Sequence, residues 1–478
     1  MAANFLHGVE TVEVKKGGVP INVVKSAVFG LVGIAPTGPV NTPTLILSAD
    51  DAAAFGPALD GFTIPQALDA IYDHGYGTVI VINVLDPSMH CESAADETLV
   101  FTAVNGKATL AHPAISGLIL KDSEAVTTYI EGEDYTVTPS TGVVTRLSSG
   151  SIPAGAAVMA TYTYADPAKV TAGDVIGAID ENGDRTGFAA LEACYQLFGF
   201  EPKILIAPGF CTQKSVATDM VARGEKLKAM ALIDAPIGTT FQEAIAGRGP
   251  LGAINFAFAS QYAALCYPHV RVYSADKDAD VLEPLSQRLA GVMCKTDNDE
   301  GYWKSPSNEA IQGITGAELA LTAKIDDPQS QVNLLNEQGI VTVFNSYGSG
   351  FKIWGNRTSA YPSETGMETF ICVRRTKDII DESIRYSSAQ FIDRPISKPL
   401  IDAILESVNG FFRKLIGDGA LLGGTAWFDT GRNPETELKK GHLLVSYKVT
   451  PPPPLERLTY ETEITGEYLV TLGGGSSE

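Results

Sequence analysis

Basic residues are scarce in this chain. Only 35 Lys and Arg stand against 56 Asp and Glu, leaving a formal charge of −21 over 478 residues. Gripping nucleic acid by counterion release, or meeting anionic lipid headgroups, needs a basic surface, so the balance argues against both partners and points to other proteins. Cysteine is sparse as well. The six at 91, 194, 211, 266, 294 and 372 form no C-x-x-C pair and no framework of bridges, and read as buried small hydrophobes in a reducing compartment. Met1 to His7 lacks the basic and apolar regions of a signal peptide. Long apolar runs are missing too. Gly249 to Val270 carries no formal charge, but Asn255, Ser260, Gln261 and Pro268 interrupt it, which predicts a buried core helix in place of a membrane span.

Recognisable catalytic strings are also absent. There is no G-x-x-x-x-G-K-[ST] loop, since the lone Gly-Lys step is Gly106 Lys107, and no G-x-S-x-G or H-E-x-x-H. Gly417 Asp418 Gly419 with Gly423 and Gly424 follows a helical pattern, so it reads as a helix C-terminus and turn instead of a dinucleotide site. His90 Cys91 Glu92 has no second ligand pair at zinc spacing and is expected in a surface loop, and His7 lies in a terminal segment. Asp326 Asp327 and the group Asp297, Asp299, Glu300 read as solvated turns. No catalytic, cofactor or metal residue is expected, although dispersed groups can converge in space, which keeps an α/β enzyme as a rival reading.

What is present is a globular composition, 45% apolar and 19% charged, long enough for about two to four domains. Thr78 to Val84, Lys203 to Ala207, Ala229 to Ile233 and Val270 to Tyr273 are short apolar runs separated by helical stretches. They predict a mostly parallel sheet covered by helices, with Thr44 to Leu47 as a further strand. Residues 97–166 differ in texture. Thr, Val and Tyr alternate there around Asn105 Gly106, Thr141 Gly142 and Pro153 Ala154 Gly155, which predicts a small inserted β domain. Leu282 to Pro306 is turn-rich and marks the expected crossing to a C-terminal α+β domain. That domain holds a strong amphipathic pattern, Leu400, Ile401, Ile404, Leu405, Val408, Phe411, Phe412, Leu415 and Ile416, opened by Pro399 and closed by Gly417. Leu443, Val445, Tyr447 and Val449 then alternate as a strand.

Both ends read as strands without a partner. Thr11, Val12, Glu13 and Val14 alternate near the front; near the back, Leu458, Tyr460, Thr462 and Ile464 fall on one side of an alternating segment. Pro451 to Pro454 separates the rear segment from the body by a stiff spacer with no N–H to donate. A strand held away from its own domain is available to another chain, so intermolecular strand addition is predicted.

Several strings resemble the contractile tail sheath proteins of bacteriophages. They are His7 Gly8 Val9; Gly18 Val19 Pro20 Ile21; Val28 to Pro36; Ile204 to Gly209; Ile233 Asp234 Ala235 Pro236; and Tyr262 Ala263 Ala264 with Tyr267 Pro268. Trp354 Gly355 Asn356 Arg357 Thr358, Val373 Arg374 Arg375 and Glu382 Ser383 Ile384 complete the order, while Cys266 and His269 stand where aromatics are commoner. The resemblance implies a homo-oligomeric helical stack of rings around an inner tail tube protein, with baseplate and tail terminator partners. It implies a virion tail component assembled in the host bacterial cytoplasm, contracting to drive the tube through the envelope without a cofactor. The sheath of a non-phage contractile injection device shares that mechanism. The implied division is linker arm 1–21, body 22–96 and 167–305, insert 97–166, inner domain 306–450 and linker arm with tail 451–478. The arms would add strands to neighbouring subunits, and Arg357, Arg374 and Arg375 would be candidate contacts to the tube or to other subunits.

Overall fold

The computed structural model describes residues 20–250, 252–275, 277–345, 348 and 350–472. Thr11, Val12, Glu13 and Val14 lie outside the described residues. At the centre is an eight-stranded sheet in the order Phe351–Trp354, Ile340–Asn345, Ala263–Cys266, Met230–Asp234, Ile204–Ile206, Val28–Gly33, Thr78–Asn83 and Thr44–Ile46. All inner pairings are parallel, and each outermost strand runs antiparallel to its neighbour. Side chains alternate between two cores: Val28, Ile80, Leu205 and Ile233 face one side, and Phe29, Val81, Ile206 and Leu232 the other. Burial on both faces is why these strands read as continuous apolar runs. Helices Thr63–Tyr72 and Leu285–Asp299 cover one face, and Lys214–Leu227 covers the other.

Three secondary-structure expectations for the body need correction. Val270–Ser274 is not in the main sheet; it pairs antiparallel with Ala279–Glu283 and Gly316–Ala317. Its alternation, Val270 buried and Arg271 exposed, marks a strand with one dry face, whereas Ala263–Cys266 is buried on both and takes the place in the sheet. That strand lies inside the expected core helix over Gly249 to Val270, where the structure forms no helix among the described residues. The expected crossing at Leu282 to Pro306 is instead largely the Leu285–Asp299 helix, with Leu285, Leu289, Val292 and Met293 buried. Polar residues disguised it. Gln287 and Arg288 are buried yet hydrogen-bonded to Glu283, and Arg288 also pairs with Asp73.

The insert is a body of its own. Cys91–Val100, Ala157–Ala165, Ile115–Asp122 and Thr128–Tyr129 form one sheet, and Lys107–Thr109, Val143–Arg146 and Tyr135–Thr138 another, around Leu99, Leu120, Tyr135, Val144 and Tyr162. Its pairing begins at Cys91 opposite Ala165, six residues before the expected boundary at 97. Gly106, Gly142 and Gly155 all have positive φ, as the turn signals require.

The C-terminal region packs Ile371–Ser388 and Lys398–Gly417 with the two-stranded sheet of Gly423–Phe428 and Val445–Thr450. Its core is Ile380, Val408, Phe411, Phe412, Leu415 and Leu421, joined by Ile21. Ser397 caps the Lys398–Gly417 helix, Pro399 sits in its first turn, and of the predicted stripe Val408, Phe411, Phe412 and Leu415 are buried while Ile416 is exposed. The expected inner domain 306–450 is divided, because Ile340–Asn345 and Phe351–Trp354 complete the main sheet.

Candidate assembly site

The features that bear on assembly gather around the two-stranded sheet and the segment that leaves it. Gly424 lets the sheet lie against the long helix, since a Cβ there would meet the Phe412 ring at 3.1 Å. Asn409 of that helix donates to Ala426 O at 3.0 Å and accepts from Ala426 N at 2.8 Å, closing part of one sheet edge. At the other edge, Val445–Thr450 has no partner beyond Gly423–Phe428 among the described residues. Tyr447 is fixed from behind by its hydroxyl on Asp381, and burial, together with that carboxylate, pushes the phenol pKa up.

From this strand the chain enters Pro451 to Pro454, of which Pro451 is buried. Leu458, Tyr460, Thr462 and Ile464 follow, all exposed and outside any helix or strand. The predicted rear strand therefore has no ladder among the described residues. Large apolar side chains are left in water, Tyr460 at 79% exposure and Leu458 at 60%.

The three arginines have intrachain partners. Arg375 makes a bidentate pair with Asp297, whose side chain is 1% exposed, and also reaches Ser26 O. Buried in this way, Arg375 is not a surface contact, and Asp297 is not a solvated turn. Arg374 pairs with Asp378 on its own helix, donates to Gln261 and lies over the Tyr262 ring. Arg357 donates to both carboxylate oxygens of Glu456, at 3.0 and 2.6 Å, and to Thr369 Oγ1 at 2.7 Å. Its guanidinium lies over Phe370 and Tyr361.

Sequence reading missed Glu456. An exposed glutamate after prolines carries no signal of its own, and its partner is 99 residues away. Arg248 was missed as well. It donates to the carbonyls of Phe256, Phe258, Ser359 and Tyr361, fastening the loop on which Arg357 stacks. Lys203 and Glu382, 2.6 Å apart and buried, join the main sheet to the Ile371–Ser388 helix.

Among the described residues the candidate chemical groups do not converge, and His7 lies outside them. His90 is buried instead of lying in a surface loop, and accepts from Asp86 N at 3.0 Å, while Cys91 opens the first strand of the insert. Asp326 is exposed in a turn, as expected, and Asp327 beside it is half-buried. No His, Cys, Asp and Glu grouping suited to a metal occurs among the described residues, and none of their helices is long and apolar enough to cross a membrane.

Residues 183–359 match the phage tail sheath protein central domain family and residues 366–465 the phage tail sheath C-terminal domain family; residues 88–174, spanning the insert, match a family of unknown function. The chain is 61% identical over 477 residues to the tail sheath protein of Burkholderia phage BcepMu, covering 100% of each. To the tail sheath protein of Escherichia phage P2 it is 26% identical over 475 residues, 98% of each. In fold it is similar to the helical sheath of the anti-feeding prophage in its contracted state, with TM-score 0.58, 17% identity, and 97% and 100% of the two chains covered. The sheath of an extracellular contractile injection system in the contracted state gives TM-score 0.58 at 13% identity, over 98% and 99%. Full-length identity at this level, with two sheath families in order along one chain, means that the protein belongs to the phage tail sheath family.

Proposed function

We propose that this chain is the repeating subunit of a contractile phage tail sheath, which polymerises helically around an inner tail tube and shortens to drive that tube through the host envelope. The single observation that carries the reading to a mechanism is that, among the described residues, Val445–Thr450 has an open edge and is followed by an exposed C-terminal segment without a ladder. A heterologous contact that does not close on itself builds a helical filament, and a strand added to an open edge supplies it. Backbone hydrogen bonds in such a strand depend little on side chains, each contributing roughly 0.5–1.5 kcal/mol. An added strand therefore holds a neighbour while the rigid bodies exchange their other interfaces.

In this reading the Thr11 to Val14 and Leu458 to Ile464 segments are linkers, and the C-terminal region faces the tube. The insert decorates the outside. The tube protein, a baseplate and a tail terminator are the partners, and assembly takes place in the host cytoplasm before the sheath joins the virion. The work is mechanical, driven by a metastable extended lattice without a nucleotide or other cofactor. Electron microscopy of the purified protein tests it: long hollow cylinders are expected, and compact closed oligomers at every concentration would sink the reading.

A further inference from the structure

We infer that the Arg357–Glu456 pair is a latch that aims the C-terminal segment, making Arg357 a positioning residue for assembly and not a subunit contact. The inference rests on the strand-addition reading above and names the device that prepares the strand for it.

The arginine is prepared before the glutamate arrives. Its side chain is 13% exposed against 46% for Glu456, so the body holds one partner and the segment brings the other. Thr369 Oγ1 takes one N–H at 2.7 Å, and the guanidinium carbon lies 3.6 Å from the centre of the Phe370 ring and 4.7 Å from that of Tyr361. Those contacts fix the plane, leaving Nε and Nη2 to face the Glu456 carboxylate as a fork. A preorganised fork loses little rotamer freedom when it pairs, which separates it from an ordinary surface salt bridge.

The segment is stiff where it must be. Thr450 is still in the two-stranded sheet, Pro451 to Pro454 follow, and Glu456 is gripped two residues later. With the proline run held at both ends, the direction of departure is set by the body. Without the grip, the segment would swing about the proline run, and only a fraction of subunits would present Leu458 to Ile464 in the orientation a neighbour accepts. Apparent affinity for the neighbour falls by that fraction.

The test uses the full chain and two readouts. In polymerisation followed by light scattering, Glu456→Gln is expected to raise the critical concentration about fivefold, and Glu456→Arg to raise it further by facing cation with cation. The exchange of both, Arg357→Glu with Glu456→Arg, is expected to recover part of the loss. In the monomer, chymotryptic cleavage after Leu458 or Tyr460 is expected to quicken about threefold in Glu456→Gln, independently of any assembly. Because Glu456 is half exposed, its variants leave the fold intact, which far-ultraviolet circular dichroism checks. Wild-type cleavage and wild-type critical concentrations in both Glu456 variants would overturn the latch. A chain truncated after Glu456 that still polymerises normally would overturn strand addition itself, while the cleavage result would still decide the latch.

Discussion

The protein contains two sheets of opposite character. The eight-stranded sheet is finished at both sides: Thr44–Ile46 is an edge of three residues, and Phe351–Trp354 is covered by residues 308–311 through hydrogen bonds from Asn308, Ile311 and Ile353. Short and covered edges resist pairing with another chain. The two-stranded sheet has one edge capped by Asn409 and the other, among the described residues, open. Two strands alone are marginal, and this pair is held by Phe412 and the long helix. The body is thus built to stand alone and the small sheet to be completed.

The largest effect is expected from removing residues 455–478. A folded monomer is expected, unchanged in circular dichroism, that forms no polymer at any concentration; cylinders from this truncation would erase the distinction between the two sheets. Next is the body's own cohesion. Asp297→Ala leaves the Arg375 guanidinium buried without its partner, and should cost about 3–5 kcal/mol in denaturant unfolding. Adding Arg375→Met to that variant should restore most of the loss, because the stranded charge is then gone.

Acid should weaken the body by a comparable amount. His74 is 3% exposed, and burial lowers its pKa to about 4; its Nδ1 is 2.9 Å from Ala70 O, and its Nε2 accepts from Gln312 N at 3.1 Å. Arg288 and Lys295 nearby also disfavour the imidazolium, while Asp73 favours it. Because the folded-state value lies below the unfolded one, near 6.5, the unfolded chain binds the extra proton first. Stability is then full above about pH 6.5 and falls between there and about pH 4, by about 3 kcal/mol in all. A His74→Gln variant should show a flatter pH profile across that window, measured by urea midpoints.

The smallest effect is expected from excising the insert. His90 O accepts from Asp166 N at 2.8 Å, so the two ends of the insert leave the body side by side. Replacing residues 91–165 by a short Gly-Ser linker should change the body's stability by less than about 1 kcal/mol and leave polymerisation intact. A large loss would show that the insert is part of the closed body.

Much of this arrangement is legible in the residues. Thr78–Asn83, Ile204–Ile206 and Met230–Asp234 are continuous apolar runs because both of their faces are covered, and the helix around Phe411 and Phe412 announces itself by three- and four-residue spacing. The turns of the insert are written in Gly106, Gly142 and Gly155. Illegible were elements whose signal depends on distant partners. Ala263–Cys266 is Ala, Ala, Leu and Cys, which suit a buried helix equally well, and the Leu285–Asp299 helix hides its buried face behind Gln287 and Arg288.

The sequence by itself determined the inner strands Thr78–Asn83, Ile204–Ile206 and Met230–Asp234, the helix around Phe411 and Phe412, the separate insert, and a rear segment of alternating residues set apart by four prolines. Local periodicity and proline stereochemistry suffice for that, since neither needs to know what lies across the fold. Tertiary structure decided which strands share a sheet and which edges stay open. It decided that Arg375 is buried against Asp297, and that Arg357 reaches across 99 residues to Glu456. Pairing of charges and strands far apart in the chain depends on closing long loops, and nothing in a local window records which of the possible closures the packed cores will select.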